Sequence, residues 1–138
     1  MTVRIDTFAE HDLPTVLELC AAEGWPSFPE DPDRALRALT APGVTTVVAR
    51  DRGQIVGFAQ LLSDGVLQAY LAALVVVASR RGAGIGIQLI ESAVELAGGS
   101  RVDLLTDDAA TGFYDRLPHR RKHGYRLYPP LDEPLTDP

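Results

Sequence analysis

Three glycines at alternate positions stand in Arg81-Gly82-Ala83-Gly84-Ile85-Gly86, after the apolar run Leu71 to Ala78 and the pair Ser79-Arg80, and directly before a helical pattern. Alternate glycines let successive amides point into one concavity with no side chain in the way, and a helix start adds unpaired N–H groups and partial positive charge. A pyrophosphate can be held in such a turn mainly by backbone donors, with Arg80 and Arg81 adding charge. The same letters also describe a tight connection whose glycines only permit φ > 0. Two other phosphate-binding turns fit poorly. A P-loop needs Gly-Lys-Ser/Thr at its end, which is absent. A dinucleotide turn reads Gly-x-Gly-x-x-Gly after the first strand of an alternating strand and helix array, whereas this turn reads Gly-x-Gly-x-Gly and follows a meander past the midpoint of the chain.

Other chemistry is excluded by composition. One cysteine and three histidines without ligand-like spacing allow no internal disulfide and suggest no metal site. Cys20 continues the apolar face of Leu13, Val16 and Leu17 at helical spacing, so it reads as a core thiol and not as a nucleophile. A net charge of −6 argues against nucleic-acid binding, whose affinity comes from neutralising phosphates, and favours a cationic substrate. The longest apolar run is too short to span a bilayer, and the first six residues include Asp6 and no apolar signal core, so a cytoplasmic protein without a membrane anchor is expected. Against this acidic background, Arg116 to Arg126 holds five Lys/Arg and no acid. That segment reads as a solvated loop, a contact for a ligand phosphate, or a docking patch for an acidic partner.

The elements that must position the glycine turn follow from period and punctuation. Val3, Ile5 and Thr7 alternate as an opening strand, and Asp12 sits where it can cap a helix that ends near Gly24. Trp25-Pro26-Ser27-Phe28-Pro29 is a proline-rich loop and a candidate lid, followed by a short helix around Arg34 to Leu39. Thr45 to Arg50, Ile55 to Leu62 and Val66 to Val77, separated by Asp51-Arg52-Gly53-Gln54 and Asp64-Gly65, predict an antiparallel meander. The turn then opens a helix with Ile85, Leu89, Ile90, Ala93, Val94 and Ala97 on one stripe, stopped by Gly98-Gly99. A strand at Val102 to Leu105, a short helix at Ala109 to Leu117 and a last strand at Tyr125 to Tyr128 complete the order β-α-α-β-β-β-α-β-α-β. The fold class is α/β (α+β), with a mixed, mostly antiparallel central sheet flanked by helices. One domain is expected over residues 1–128, with a flexible tail over 129–138.

These residues resemble the GCN5-related N-acetyltransferase (GNAT) superfamily. Its motif Gln/Arg-x-x-Gly-x-Gly/Ala is matched by Arg81-x-x-Gly84-x-Gly86, its Val-rich strand is similar to Leu74 to Val77, and its Asn-x-x-Ala-x-x-Phe-Tyr segment resembles Asp107-x-x-Ala110-x-x-Phe113-Tyr114. The resemblance implies acetyl-CoA as acyl donor and an amine as acceptor. It implies that the pantetheine arm runs beside the backbone of Val75 and Val77, within the stretch Leu74, Val75, Val76 and Val77, where the meander strand and the Val102 strand splay apart. The amides of Arg81, Gly82, Ala83, Gly84, Ile85 and Gly86 would hold the pyrophosphate. Asp107 replaces the usual Asn and would set a carboxylate beside the cofactor, with Ala110 and Tyr114 in the same segment. Homodimers are common among relatives and are compatible with this chain.

Acyl transfer needs a neutral nucleophile, donors at the thioester oxygen and a proton for the departing thiolate. The resemblance assigns the proton to Tyr114 and the polarising amide to the backbone near Val75; as a bare residue, Tyr114 also fits an amphipathic ring that closes a core. Relatives often carry an acid on the strand before the glycine turn, but Tyr70-Leu71-Ala72-Ala73-Leu74 has none. An ordered water, Tyr70, Gln68 or Glu23 is left to take the amine proton. The missing carboxylate also keeps open a non-catalytic acyl-CoA-binding or sensing module, and the basic segment an interaction protein.

Overall fold

Segments rich in Val, Ala and Leu build a five-stranded sheet in which every strand neighbours the next in sequence. It comprises β1 (Val3–Thr7), β2 (Val44–Asp51), β3 (Gln54–Ser63), β4 (Gln68–Val76) and β5 (Arg101–Asp103). The first four strands pair antiparallel, and β5 joins β4 parallel. The structure, a computed structural model, describes residues 3–135. Met1, Thr2 and residues 136–138, including the end of the expected tail, lie outside the described residues. By its internal contacts the chain divides into two compact units, Met1–Leu104 and Leu105–Pro138.

In the first unit the turns are set by local chemistry. Arg52 and Gly53 join β2 to β3 with φ of 53° and 81°, the left-handed pair that matches the twist of a two-residue hairpin. Asp64 Oδ1 accepts from the amides of Val66 and Leu67, both at 2.8 Å, which holds those residues in the loop and starts β4 at Gln68, two residues later than the apolar run suggests.

The sheet is covered on both faces. Val48, Phe58, Ala73 and Val75 pack with Phe8, with Val16, Leu19 and Cys20 of α1 (Leu13–Ala22), and with Leu39 of α3 (Pro32–Leu39). On the opposite face α4 (Ile85–Ala97) buries Ile85, Gly86, Leu89 and Ala93. Gly57 makes that approach possible: a Cβ there would lie 2.7 Å from Val75 O and 3.2 Å from Leu89 Cδ1. Between α1 and α3 a single helical turn, α2 (Ser27–Glu30), occupies part of the expected proline-rich loop.

Asp12 does not cap α1 as its position suggests. Its carboxylate turns back to accept from Ala9 N at 2.9 Å and from Arg50 Nη2 at 2.7 Å, because a buried charge is better satisfied by a guanidinium than by one helix amide. Burial alone would raise its pKa, but the Arg50 side chain and the Ala9 amide outweigh it and hold the carboxyl below the ordinary range. Asp31 does cap α3, accepting from Arg34 N at 3.1 Å.

The second unit holds a 3₁₀ turn at Asp108–Ala110 and α5 (Thr111–Asp115), shorter than the helix expected over 109–117. Residues 116–135 form neither helix nor strand, so the last strand expected at Tyr125 to Tyr128 is absent. A strand exists only where a neighbour takes its N–H and C=O groups, and the sheet ends at β5. Tyr125, Leu127 and Tyr128 are 83%, 67% and 55% exposed, so the alternation in this segment buries neither face.

Candidate functional site

The site is built where β4 leaves its neighbour. Leu61 pairs with Leu71 and Gln60 with Ala73, so Ala72 is an extra residue in β4, a bulge. β5 pairs with β4 only at Gln68–Arg101, Ala69–Val102 and Tyr70–Asp103. Among the described residues, β4 from Leu71 to Val76 therefore has β3 on one side and no strand on the other. A bulge bends the strand that carries it and sharpens its twist, which accounts for the parallel ladder ending where it does.

Strand parity decides which backbone groups face the open edge. Val77 N donates to Val56 O at 2.9 Å, so Val77 is committed to β3. Alternation along the ladder commits Val75 likewise and turns the backbone of Leu74 and Val76 to the open side. Val76 O bears this out by accepting from Arg81 Nε at 2.9 Å. The resemblance sets the arm beside the backbone of Val75 and Val77 and the polarising amide near Val75, but pairing with β3 takes up both residues' backbone groups, so the outward groups are those of Leu74 and Val76 instead.

At its C-terminal end β4 runs through a 3₁₀ turn, Ala78–Arg80, into the glycine turn. Gly82 and Gly84 have φ of 82° and 85°, and a Cβ at either would meet nothing within 4 Å. The space above the turn is thus open, and Ala83 between them is exposed. Gly84 is the N-cap residue of α4 and supplies no side-chain cap, and the first helical bond runs from Gln88 N to Gly84 O at 3.1 Å. The amides of Ile85, Gly86 and Ile87 consequently lack intrahelical acceptors, the arrangement that binds anions at helix starts.

The two arginines are not free charges. Arg80 pairs with Asp51 at the end of β2, and Arg81 pairs with Glu23, the C-cap residue of α1. Sequence reasoning expected both to add positive charge to the turn and had no signal for partners 29 and 58 residues away. Cys20 is buried, and burial, with a smaller contribution from Glu23, pushes its thiol up to about 11, which fits a core residue. Near the end of α1 an open hollow of about 370 Å³ is lined by Ala21, Gly24, Trp25, Pro26, Pro29 and Glu30.

Asp107, Ala110 and Tyr114 belong to the second unit. Asp107 is exposed and accepts from Ala110 N through its carbonyl at 3.0 Å. Tyr114 is half-buried in α5, edge-on to Phe113 with ring centroids 4.9 Å apart, and burial raises its phenol above the ordinary value.

Comparison with known proteins agrees with this geometry. Residues 10–117 match the model of the Acetyltransferase (GNAT) family. The chain belongs to the GNAT acetyltransferase family. Among solved structures, a provisionally named acetyltransferase from Deinococcus radiodurans R1 is 34% identical, with 92% of this chain and 88% of that one covered and a TM-score of 0.70. A Trypanosoma brucei acetyltransferase is 26% identical over 91% of this chain and 100% of that one, with a TM-score of 0.65. The ribosomal-protein-alanine N-acetyltransferase of Brucella melitensis biovar Abortus 2308 shares the fold at 19% identity, with 93% and 99% covered and a TM-score of 0.74. A search of curated proteins returned no match. GNAT membership implies acyl transfer from acyl-CoA, with acetyl-CoA as the family's donor, to an acceptor substrate. Among the described residues no helix is long and apolar enough to cross a membrane, and no cluster of three or more His, Cys, Asp or Glu could hold a metal ion.

Proposed function

We propose that this protein moves the acetyl group of acetyl-CoA to an amine by direct attack within a ternary complex, without a covalent enzyme intermediate. The observation that carries the reading is the open edge of β4 running into an uncapped glycine turn. Acyl-CoA is a diphosphate joined to an arm that contains amides. Its arm suits the outward backbone of Leu74 and Val76, and its diphosphate suits the amides of residues 82–86.

In the reaction the amine nitrogen attacks the thioester carbonyl carbon, the C–S bond breaks, and the thiolate takes a proton. We assign that proton to Tyr114 on the match of Ala110-x-x-Phe113-Tyr114 to the family segment. Its raised pKa keeps the phenol protonated at neutral pH, as an acid requires. Tyr70 to Leu74 carries no carboxylate, so an ordered water, Tyr70, Gln68 or Glu23 is left to take the proton lost by the amine. An amine acceptor is supported by Glu30 and Trp25, which line the hollow at the end of α1 and would offer a cation a carboxylate and an aromatic face.

The missing strand carboxylate favours one alternative, a non-catalytic acyl-CoA sensor. Thermal unfolding with and without about 1 mM acetyl-CoA tests donor binding, since a ligand at about 100 times its Kd adds roughly 2.7 kcal/mol, several degrees for this size. No shift removes the donor site. A shift followed by thiol release on adding amines supports the enzyme, and a shift with no release across amine classes supports the sensor.

A further inference from the structure

We infer that Glu23 holds Arg81 as a latch across the open edge of β4, and that acyl-CoA binding exchanges the Arg81 guanidinium from Glu23 and Val76 O to the donor's diphosphate. The inference rests on the donor site proposed above and adds how that site is guarded when empty.

One planar guanidinium makes both contacts. Arg81 Nε donates to Val76 O at 2.9 Å while Nη2 reaches the Glu23 carboxylate. Val76 O faces the edge that has no strand, so it is the acceptor an arm amide would use. Arg81 and the arm therefore compete for a single carbonyl. Glu23 also stands at the C-terminus of α1, where the partial negative charge of the helix end adds to its hold on a cation.

The latch is built to open. The Arg81 and Glu23 side chains are 55% and 29% exposed, against 32% and 11% for Arg80 and Asp51. The more exposed pair is the more solvated and the easier to part. A diphosphate carries more charge than a carboxylate, so exchange runs toward the ligand. The exchange also brings a cation to a turn that otherwise offers only amide dipoles, because Arg80 stays with Asp51.

Calorimetric titration of CoA into the full chain tests the latch, using wild type, Glu23→Gln, Arg81→Gln and the double variant. Glu23→Gln should bind CoA about two- to fivefold more tightly. Arg81→Gln should bind it more weakly, and adding Glu23→Gln to that variant should change nothing further. A second readout uses wild type alone: the NMR resonance of the Arg81 Nε–H, which donates to Val76 O in the free protein, should move when CoA is added. Unchanged or weaker binding by Glu23→Gln, or an unmoved Arg81 resonance in a protein that binds CoA, overturns the latch and leaves the donor site standing. Failure of wild type to bind CoA overturns the donor site and the latch together.

Discussion

Tyr70 and Asp103 form the last rung of the parallel ladder between β4 and β5. One residue further the β4 chain is free on that side, and two residues further it bulges at Ala72. The proposed donor site thus depends on where a ladder stops, since a fully paired β4 would have no backbone left for a ligand.

Proline substitutions separate the two edges of β4. Val76→Pro removes an amide that faces the open side, so the protein should fold and CoA affinity should drop. Val77→Pro removes the donor to Val56 O and should cost about 1–3 kcal/mol of stability. Urea unfolding and CoA titration of the two variants check this; equal destabilisation by both would show that the assigned strand parity is wrong.

Tyr114→Phe should lower kcat by about a hundredfold with little change in acetyl-CoA affinity. Because burial raises the Tyr114 phenol above 10.0, the acid form persists through neutral pH, and wild-type kcat should fall on this account only above about pH 10. Steady-state kinetics across pH would reveal a structural role if the variant turned over normally.

Asp12, 2% exposed, and Arg50 tie the entry of α1 to β2. The folded carboxyl lies below its ordinary value of 3.8, so the stability it contributes is present above that pH and is lost as pH falls through the lower folded value. Asp12→Asn should cost roughly 3 kcal/mol at pH 7, near the low end for breaking a buried pair because Arg50 keeps Asp6 at 3.0 Å. The variant should also lose less stability than wild type between pH 5 and 3. Urea midpoints at these pH values test both expectations, and parallel acid losses would assign the acid sensitivity to other groups.

Much of this architecture was legible in local residue patterns. Runs bounded by Asp51-Arg52-Gly53-Gln54 and Asp64-Gly65 located β2 and β3 to within a residue, the stripe from Ile85 to Ala97 gave α4, and Gly82 and Gly84 marked a segment that could wrap an anion with backbone. Cys20 was readable as core because its helical neighbours are apolar. Two local patterns misled. Asp12 had the spacing of a helix cap but serves Arg50, and Tyr125 to Tyr128 had the alternation of a strand but no neighbour to pair with.

Local residue types set β1, β2, β3, the helix after the turn and the glycine turn before it, since these depend on φ preference and side-chain period within a few residues. The bulge at Ala72, the outward backbone of Leu74 and Val76, and the pairing of Arg80 and Arg81 with Asp51 and Glu23 emerge from the folded chain. Those facts depend on strand register and on which distant carboxylate the packed helices and hairpins bring within reach, which nearby residues do not encode.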